Sequence, residues 1–157
     1  MKRNVMFIAA LAGVCLVVLF SAGCEKLKAR DHLNKGVQSF KNARYPEAVE
    51  HFKISVDLDP TFPTARLYLA TAYMMQYIPG ADSPENNRMA VAAFDQFQEV
   101  LKQDPRNNVA IASIASLYLN QKKFDEASDW YRKLIEVQPD NKEAHYSLGF
   151  IAWSKWY

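Results

Sequence analysis

Apolar and polar positions alternate along most of the chain with the spacing of amphipathic helices. Phe124, Ala127 and Tyr131, for example, recur every three or four positions and fall on one helix face. Three such patterns end at a proline: Pro60, Pro105 and Pro139. Proline lacks a backbone N–H and its ring clashes with the preceding turn, so each proline ends a helix. The pattern predicts an all-α chain.

The helical patterns share landmark residues at fixed spacing. An alanine lies twelve residues before each proline, an aromatic side chain follows each alanine by four residues, and a small residue stands in the preceding helix. The landmarks are Gly36, Ala48 and Pro60, then Ala70, Ala93 and Pro105, then Ala115, Ala127 and Pro139, and finally Gly149. Successive small residues in the preceding helices are 34, 45 and 34 positions apart. A recurring interval of this kind indicates a chain built from repeated helix pairs.

The 34-residue interval, with its small residue, Ala-x3-aromatic and proline landmarks, resembles the tetratricopeptide repeat family. The resemblance implies a right-handed α-solenoid of antiparallel helix pairs with about 3.5 repeats. The repeats are expected at residues 29–62, 63–107 and 108–141. Residues 142–157 are expected to form either the first helix of a fourth repeat or a capping helix.

The longer interval of 45 residues places an 11-residue insertion near residues 77–88, between the two helices of the second repeat. Ser83, Pro84 and Glu85 suit a helix start, as N-cap, first helical residue and acidic first-turn residue respectively. The helix that follows is expected to be about 20 residues long and to project beyond its neighbours. Insertions in repeat proteins are often functional. A surface extension without a function is the alternative.

The amino terminus has the layout of an export signal. Lys2 and Arg3 precede an uncharged run at residues 5–20, and small residues follow up to Cys24. The last four residues, Ser-Ala-Gly-Cys at 21–24, resemble the lipobox of bacterial lipoproteins. The resemblance implies a signal peptide at residues 1–23, lipid attachment to Cys24, and a short tether at residues 24–28.

Two other interpretations of this segment stay open. The small residues before Cys24 also suit an ordinary signal peptidase, which would release a soluble exported protein with a free thiol. Alternatively, the apolar run is not cleaved and anchors the chain in the membrane, although it is slightly short for a bilayer span.

Charge and motifs narrow the function classes. The chain carries 19 basic and 17 acidic residues, and Lys2 and Arg3 are the only charges in residues 1–23, so the processed protein would hold 17 of each. Nucleic-acid binding is not expected, because it needs a concentrated basic surface. The histidines are isolated, and no metal-binding, Cys-x-x-Cys or phosphate-loop motif is present. The sequence predicts no enzyme, no cofactor, no metal and no small-molecule substrate.

The family resemblance implies a concave binding groove lined by the first helix of each repeat. The matching residues here are Leu33, Val37, Phe40, Leu67, Thr71, Met74, Ala112, Ser116, Leu119, Tyr146, Phe150 and Trp153. Chaperone-binding members of the family hold a peptide carboxylate with Lys and Asn in this groove, and this set has neither. We therefore expect the ligand to be an extended or helical apolar segment of a protein or peptide partner.

Together these features predict a membrane-anchored scaffold for assembly of an envelope complex. It would lie on the periplasmic or extracellular side, and Glu25, rather than the Asp of an inner-membrane retention signal, is compatible with the outer membrane. The alternatives are a docking or regulatory accessory subunit of an exported enzyme, or the amino-terminal part of a longer repeat protein.

Overall fold

The computed structural model describes residues 23–156, so residues 1–22 of the predicted export signal lie outside the described range. Within that range the chain forms seven α-helices and no strand. They are α1 (23–41), α2 (Tyr45–Leu58), α3 (Pro63–Met74), α4 (Pro84–Gln103), α5 (Asn108–Asn120), α6 (Phe124–Val137) and α7 (Lys142–Ser154). The all-α prediction is confirmed. Residues 24–28, expected to be a short tether, are helical and continuous with the rest of α1.

Helices that follow one another in the chain pack against one another. The contacts run from α2 to α3 and onward in order to α7, with an additional contact between α3 and α5. The α1–α2 pair is joined by the buried Ser55 hydroxyl, which donates to the Ala29 carbonyl oxygen at 2.7 Å. Turns of three residues, 42–44 and 121–123, reverse the chain within the first and third pairs. Short connections of this kind make neighbouring helices antiparallel.

The two short turns use the same backbone conformation. Ala43 and Lys122 are left-handed, with φ of 56° and 58°. In each turn the next amide donates back across the helix end, from Arg44 to the Ser39 oxygen and from Lys123 to the Tyr118 oxygen, both at 2.9 Å. A left-handed backbone conformation at a residue other than glycine is unfavourable by roughly 1–2 kcal/mol. The packing of the helix pair must offset that cost.

The landmark residues lie where the two helices of a pair meet. Gly36 packs against Phe52, Ala70 shares a buried cluster with Phe97, and Ala115 shares another with Tyr131. The alanines of the second helices, Ala48, Ala93 and Ala127, are fully buried. The three prolines are exposed and follow the ends of α2, α4 and α6 by two residues: Pro60, Pro105 and Pro139. The repeated small-to-aromatic contact therefore builds the core.

Gly149 occupies the same repeat position in α7 but faces open space. A Cβ atom built on Gly36 would lie 2.5 Å from Cε1 of Phe52, whereas a Cβ on Gly149 meets no atom within 4 Å. The two glycines therefore stand in opposite environments at equivalent positions.

These environments predict opposite effects of alanine. Gly36→Ala forces the buried Phe52 ring to move and should lower the free energy of unfolding by about 1–3 kcal/mol. Gly149→Ala removes a glycine from a helix interior without a clash and should raise it by about 0.5–1 kcal/mol. Urea denaturation followed by circular dichroism measures both. Equal shifts of the same sign would contradict the close approach at Gly36.

Candidate functional site

The predicted groove positions lie on α1, α3, α5 and α7, which are the first helices of the pairs. On α1, the side chains of Leu33, Val37 and Phe40 are partly buried and pack against the first core cluster. The ring of Phe40 also meets the ring of Tyr68 on α3, edge to face, with centroids 6.3 Å apart. These α1 positions therefore contribute to packing between neighbouring repeats.

The α3 and α5 positions are half-buried too. Leu67 and Met74 pack against the second cluster, and Ala112 and Leu119 pack against the third. The hydroxyls of the α3 and α5 groove positions are already bonded within the chain. Thr71 donates to the Leu67 carbonyl oxygen at 2.8 Å, and Ser116 lies 3.4 Å from the Tyr131 hydroxyl.

The α7 positions differ, because their aromatic side chains are exposed. Tyr146, Phe150 and Trp153 expose 76%, 41% and 60% of their surfaces, against the partial burial of the other nine groove positions. They recur at positions i, i+4 and i+7, so they share one face of α7. The rings of Phe150 and Trp153 lie 6.4 Å apart. We call these three residues the α7 aromatic face, and they are the most exposed of the predicted groove positions.

The inserted segment of the second repeat is organised by one buried side chain. Ser83 caps α4 by accepting from the Asn86 backbone N–H at 3.1 Å, and α4 begins at Pro84 and runs for 20 residues, as predicted. The Asn86 amide donates to the carbonyl oxygens of Ile78 and Ala81, at 2.9 and 2.7 Å, and accepts from the Ile78 N–H at 2.7 Å. These bonds fold the insertion against the start of α4.

Sequence reasoning missed the role of Asn86, although a signal was present. Asn86, Ala90, Ala93 and Phe97 lie on one face of α4, and all four are buried. A polar residue on an apolar face needs partners for its hydrogen-bonding groups. The nearby loop, with backbone groups outside any helix, supplies them.

The acids and phenols whose pKa values are shifted owe the shift to hydrogen bonds, burial and neighbouring charges. A hydrogen bond from Lys35 lowers the pKa of Asp31, and one from Lys155 lowers the pKa of Asp125. Burial raises the pKa of Tyr73 and, with the nearby Glu126 charge, that of Tyr118. None of these residues is at a predicted groove position.

Two histidines that are distant in the sequence lie close together in the fold. Nδ1 of His32 on α1 lies 3.3 Å from Nδ1 of His51 on α2. Across residues 23–156, however, His, Cys, Asp and Glu side chains form no group of three that could hold a metal ion.

The thiol of Cys24 is exposed on α1. No helix within residues 23–156 has the length and apolar content needed to cross a membrane.

Known proteins resemble this chain over most of its described length. Residues 33–108 match a family model described as "Tetratricopeptide repeat", and residues 115–155 match one described as "TPR repeat". The chain is 30% identical over 105 residues to the mitochondrial import receptor subunit TOM70 of Rattus norvegicus. That alignment covers 67% of this chain and 17% of the receptor subunit, so the chain spans a small part of that relative.

Two solved structures share the fold. The first TPR of Spaghetti (RPAP3), bound to the HSP90 peptide SRMEEVD, superposes with a TM-score of 0.70 at 22% identity, covering 84% of this chain and 96% of that one. The crystal structure of MamA gives a TM-score of 0.69 at 23% identity, covering 81% and 68%. At these identities the likeness concerns the architecture of the helices.

The role of Asn86 is testable against its neighbour Asn87. Asn86→Ala leaves backbone groups of Ile78 and Ala81 unpaired and should lower the free energy of unfolding by about 1–3 kcal/mol. Asn87→Ala removes only a 3.5 Å contact with Asp82 on the surface and should stay within about 0.5 kcal/mol of the parent. Limited proteolysis should cut near residues 78–83 faster in the first variant alone. Equal cutting rates in both would show that Asn86 does not hold the loop.

Proposed function

The chain belongs to the tetratricopeptide repeat family, and on that premise we propose that it is a membrane-anchored scaffold binding an apolar segment of a partner protein. A protein-interaction role follows from the family membership. The binding surface in this proposal is the groove formed by α1, α3, α5 and α7, with the α7 aromatic face as its anchor. The assembly it would serve is a complex of the bacterial cell envelope.

The α7 aromatic face is the observation that carries this proposal. Aromatic side chains supply much of the binding energy at protein interfaces, because they bury a large area with few rotatable bonds. Tyr146 and Trp153 are more than half exposed, so they are accessible to a partner. Soluble proteins seldom leave neighbouring aromatic side chains exposed without a binding role.

The groove chemistry favours an apolar partner over an acidic one. The related first TPR of Spaghetti binds the HSP90 peptide SRMEEVD, which carries acidic residues. The twelve groove positions of this chain include no Lys, Arg or Asn, and their hydroxyls at Thr71 and Ser116 are internally bonded. An amphipathic helix or an extended apolar segment matches this surface.

Membrane attachment in this proposal occurs through lipid on Cys24. The thiol is exposed, and it lies only five residues before Ala29, the first residue of the first repeat. Five helical residues rise about 7.5 Å, so a lipid on Cys24 would hold the first repeat close to the bilayer. Two or more acyl chains are enough for stable anchoring. The proposed location is the outer face of the cytoplasmic membrane or the periplasmic side of the outer membrane.

Lipid attachment is tested by metabolic labelling with an alkyne fatty acid in a bacterial host. The parent protein should carry the label, fractionate with membranes and have lost residues 1–23 by mass spectrometry. Cys24→Ala should abolish labelling, because it removes the acceptor thiol, whereas the matched variant Cys15→Ala should label normally. An unlabelled parent with its full-length mass would contradict cleavage and lipid attachment.

Groove binding is tested by photocrosslinking in intact cells. A photoreactive phenylalanine replacing the exposed Tyr146 should capture a defined protein, whereas the same group replacing Asp129, exposed on α6, should not. Trp153→Ala should weaken that capture about tenfold, since a central aromatic contributes about 1–2 kcal/mol. Capture of the same proteins from both positions would contradict the groove.

A further inference from the structure

The second repeat lacks an aromatic side chain that the other two complete repeats carry. In α2 and α6 the helix begins three residues before the landmark alanine, at Tyr45 and Phe124 respectively. The equivalent position in α4 is Ala90, and α4 extends six residues further toward its amino end. The insertion thus coincides with the loss of one ring from the repeat pattern.

A pocket lies at this position, between α4 and α5. Its volume is about 210 Å³, and Ala90, Val91 and Phe94 line it from α4. Leu117 and Tyr118 line it from α5, with Lys123 also in the lining. We call it the Lys123 pocket. An apolar protein cavity of about 150 Å³ is large enough to bind benzene, so this pocket has room for one aromatic ring.

The pocket walls suit a ring by their geometry as well as by their size. Phe94 and Tyr118 meet edge to face, with centroids 5.5 Å apart and planes inclined at 74°. Aromatic rings prefer such offset or edge-to-face neighbours. A third ring entering beside them would extend an existing aromatic cluster. Ala90 and Leu117 are almost fully buried, so apolar side chains form the inner wall of the pocket.

The positive charge of Lys123 favours a ligand that carries an anionic group next to its aromatic ring. The ammonium group of Lys123 lies 5.8 Å from the centroid of the Tyr118 ring. Among the ion pairs of residues 23–156, neither Lys123 nor the adjacent Lys122 takes part. Two acids follow Lys123 closely in the sequence. Asp125 is paired with Lys155, and the charge of Glu126 raises the pKa of Tyr118. Lys123 therefore brings to the pocket a positive charge that no carboxylate of residues 23–156 pairs with.

We propose that the Lys123 pocket binds an aromatic side chain of a partner protein segment, whose adjacent carboxylate pairs with Lys123. This site is separate from the groove of the first helices, because α4 is a second helix and the lining residues of α5 are not groove positions. It gives the inserted repeat a recognition role of its own. The binding does not depend on lipid attachment or on the α7 aromatic face.

The proposal is tested with capped peptides and backbone NMR of the protein lacking residues 1–23. The probe is acetyl-Gly-Phe-Glu-Gly-amide, with Gln in place of Glu and Ala in place of Phe as matched controls. The probe should bind at millimolar concentration and shift the amide signals of Val91, Leu117 and Tyr118. The Gln peptide should bind several-fold more weakly, and the Ala peptide should cause no shift at about 20 mM, a concentration roughly twenty times a 1 mM Kd.

Variants of the protein separate the contribution of the aromatic ring to binding from that of the charge. Ala90→Phe restores the aromatic of the other repeats, so it should fill the pocket and abolish binding of the probe. Lys123→Gln should reduce the affinity for the Glu peptide to that for the Gln peptide, whereas Lys122→Gln should leave that preference intact.

Two results would overturn the proposal. One is the absence of shifts at Val91, Leu117 and Tyr118 with the Phe-Glu probe at about 20 mM, roughly twenty times a 1 mM Kd. The other is equal affinity for the Glu and Gln peptides in the parent protein. Neither result bears on groove binding, because the photocrosslinking group at Tyr146 lies on a different helix.

Discussion

The close approach of the two helices in each pair is the constraint on which the rest of this structure depends. An aromatic side chain of the second helix lies against a small residue of the first, most tightly where the Phe52 ring meets Gly36. Because the ring needs the volume that a larger side chain would occupy, the small residue sets the distance between the helices. Ala70 shares a buried cluster with Phe97, and Ala115 shares one with Tyr131. Each of these pairs therefore buries its small residue together with its aromatic side chain.

The sequence predicted the helices well because their signals are local. Landmark spacing located the pairs, and the Ser83 cap and Pro84 located the start of α4, since capping depends on residues within one turn. The contents of the insertion were not predictable in the same way. Asn86 bonds to backbone groups five and eight residues earlier, and only the folded path of the loop brings those groups within reach.

The exposure of the predicted groove residues could not be read from the sequence. The family resemblance assigned twelve residues to the groove, yet it could not distinguish Phe40, which packs against Tyr68 of the next repeat, from Phe150, which does not have a following repeat against it in residues 23–156. Exposure depends on contacts between repeats, which lie about 34 residues apart in the sequence. The Lys123 pocket could not be predicted for the same reason, since its walls come from two different repeats.

The position of α7 at the end of the described array has a consequence for cooperativity. Each repeat in such an array is stabilised mainly by its immediate neighbours. The main helix contact of α7 is with α6, and its buried residues Ala144 and Ile151 share one cluster with α5 and α6. Among the helices of residues 23–156, α7 therefore packs against fewer neighbours than α5, which contacts α3, α4 and α6. A partner seated on the α7 aromatic face would add an interface to α7, so its binding would be coupled to the order of that helix.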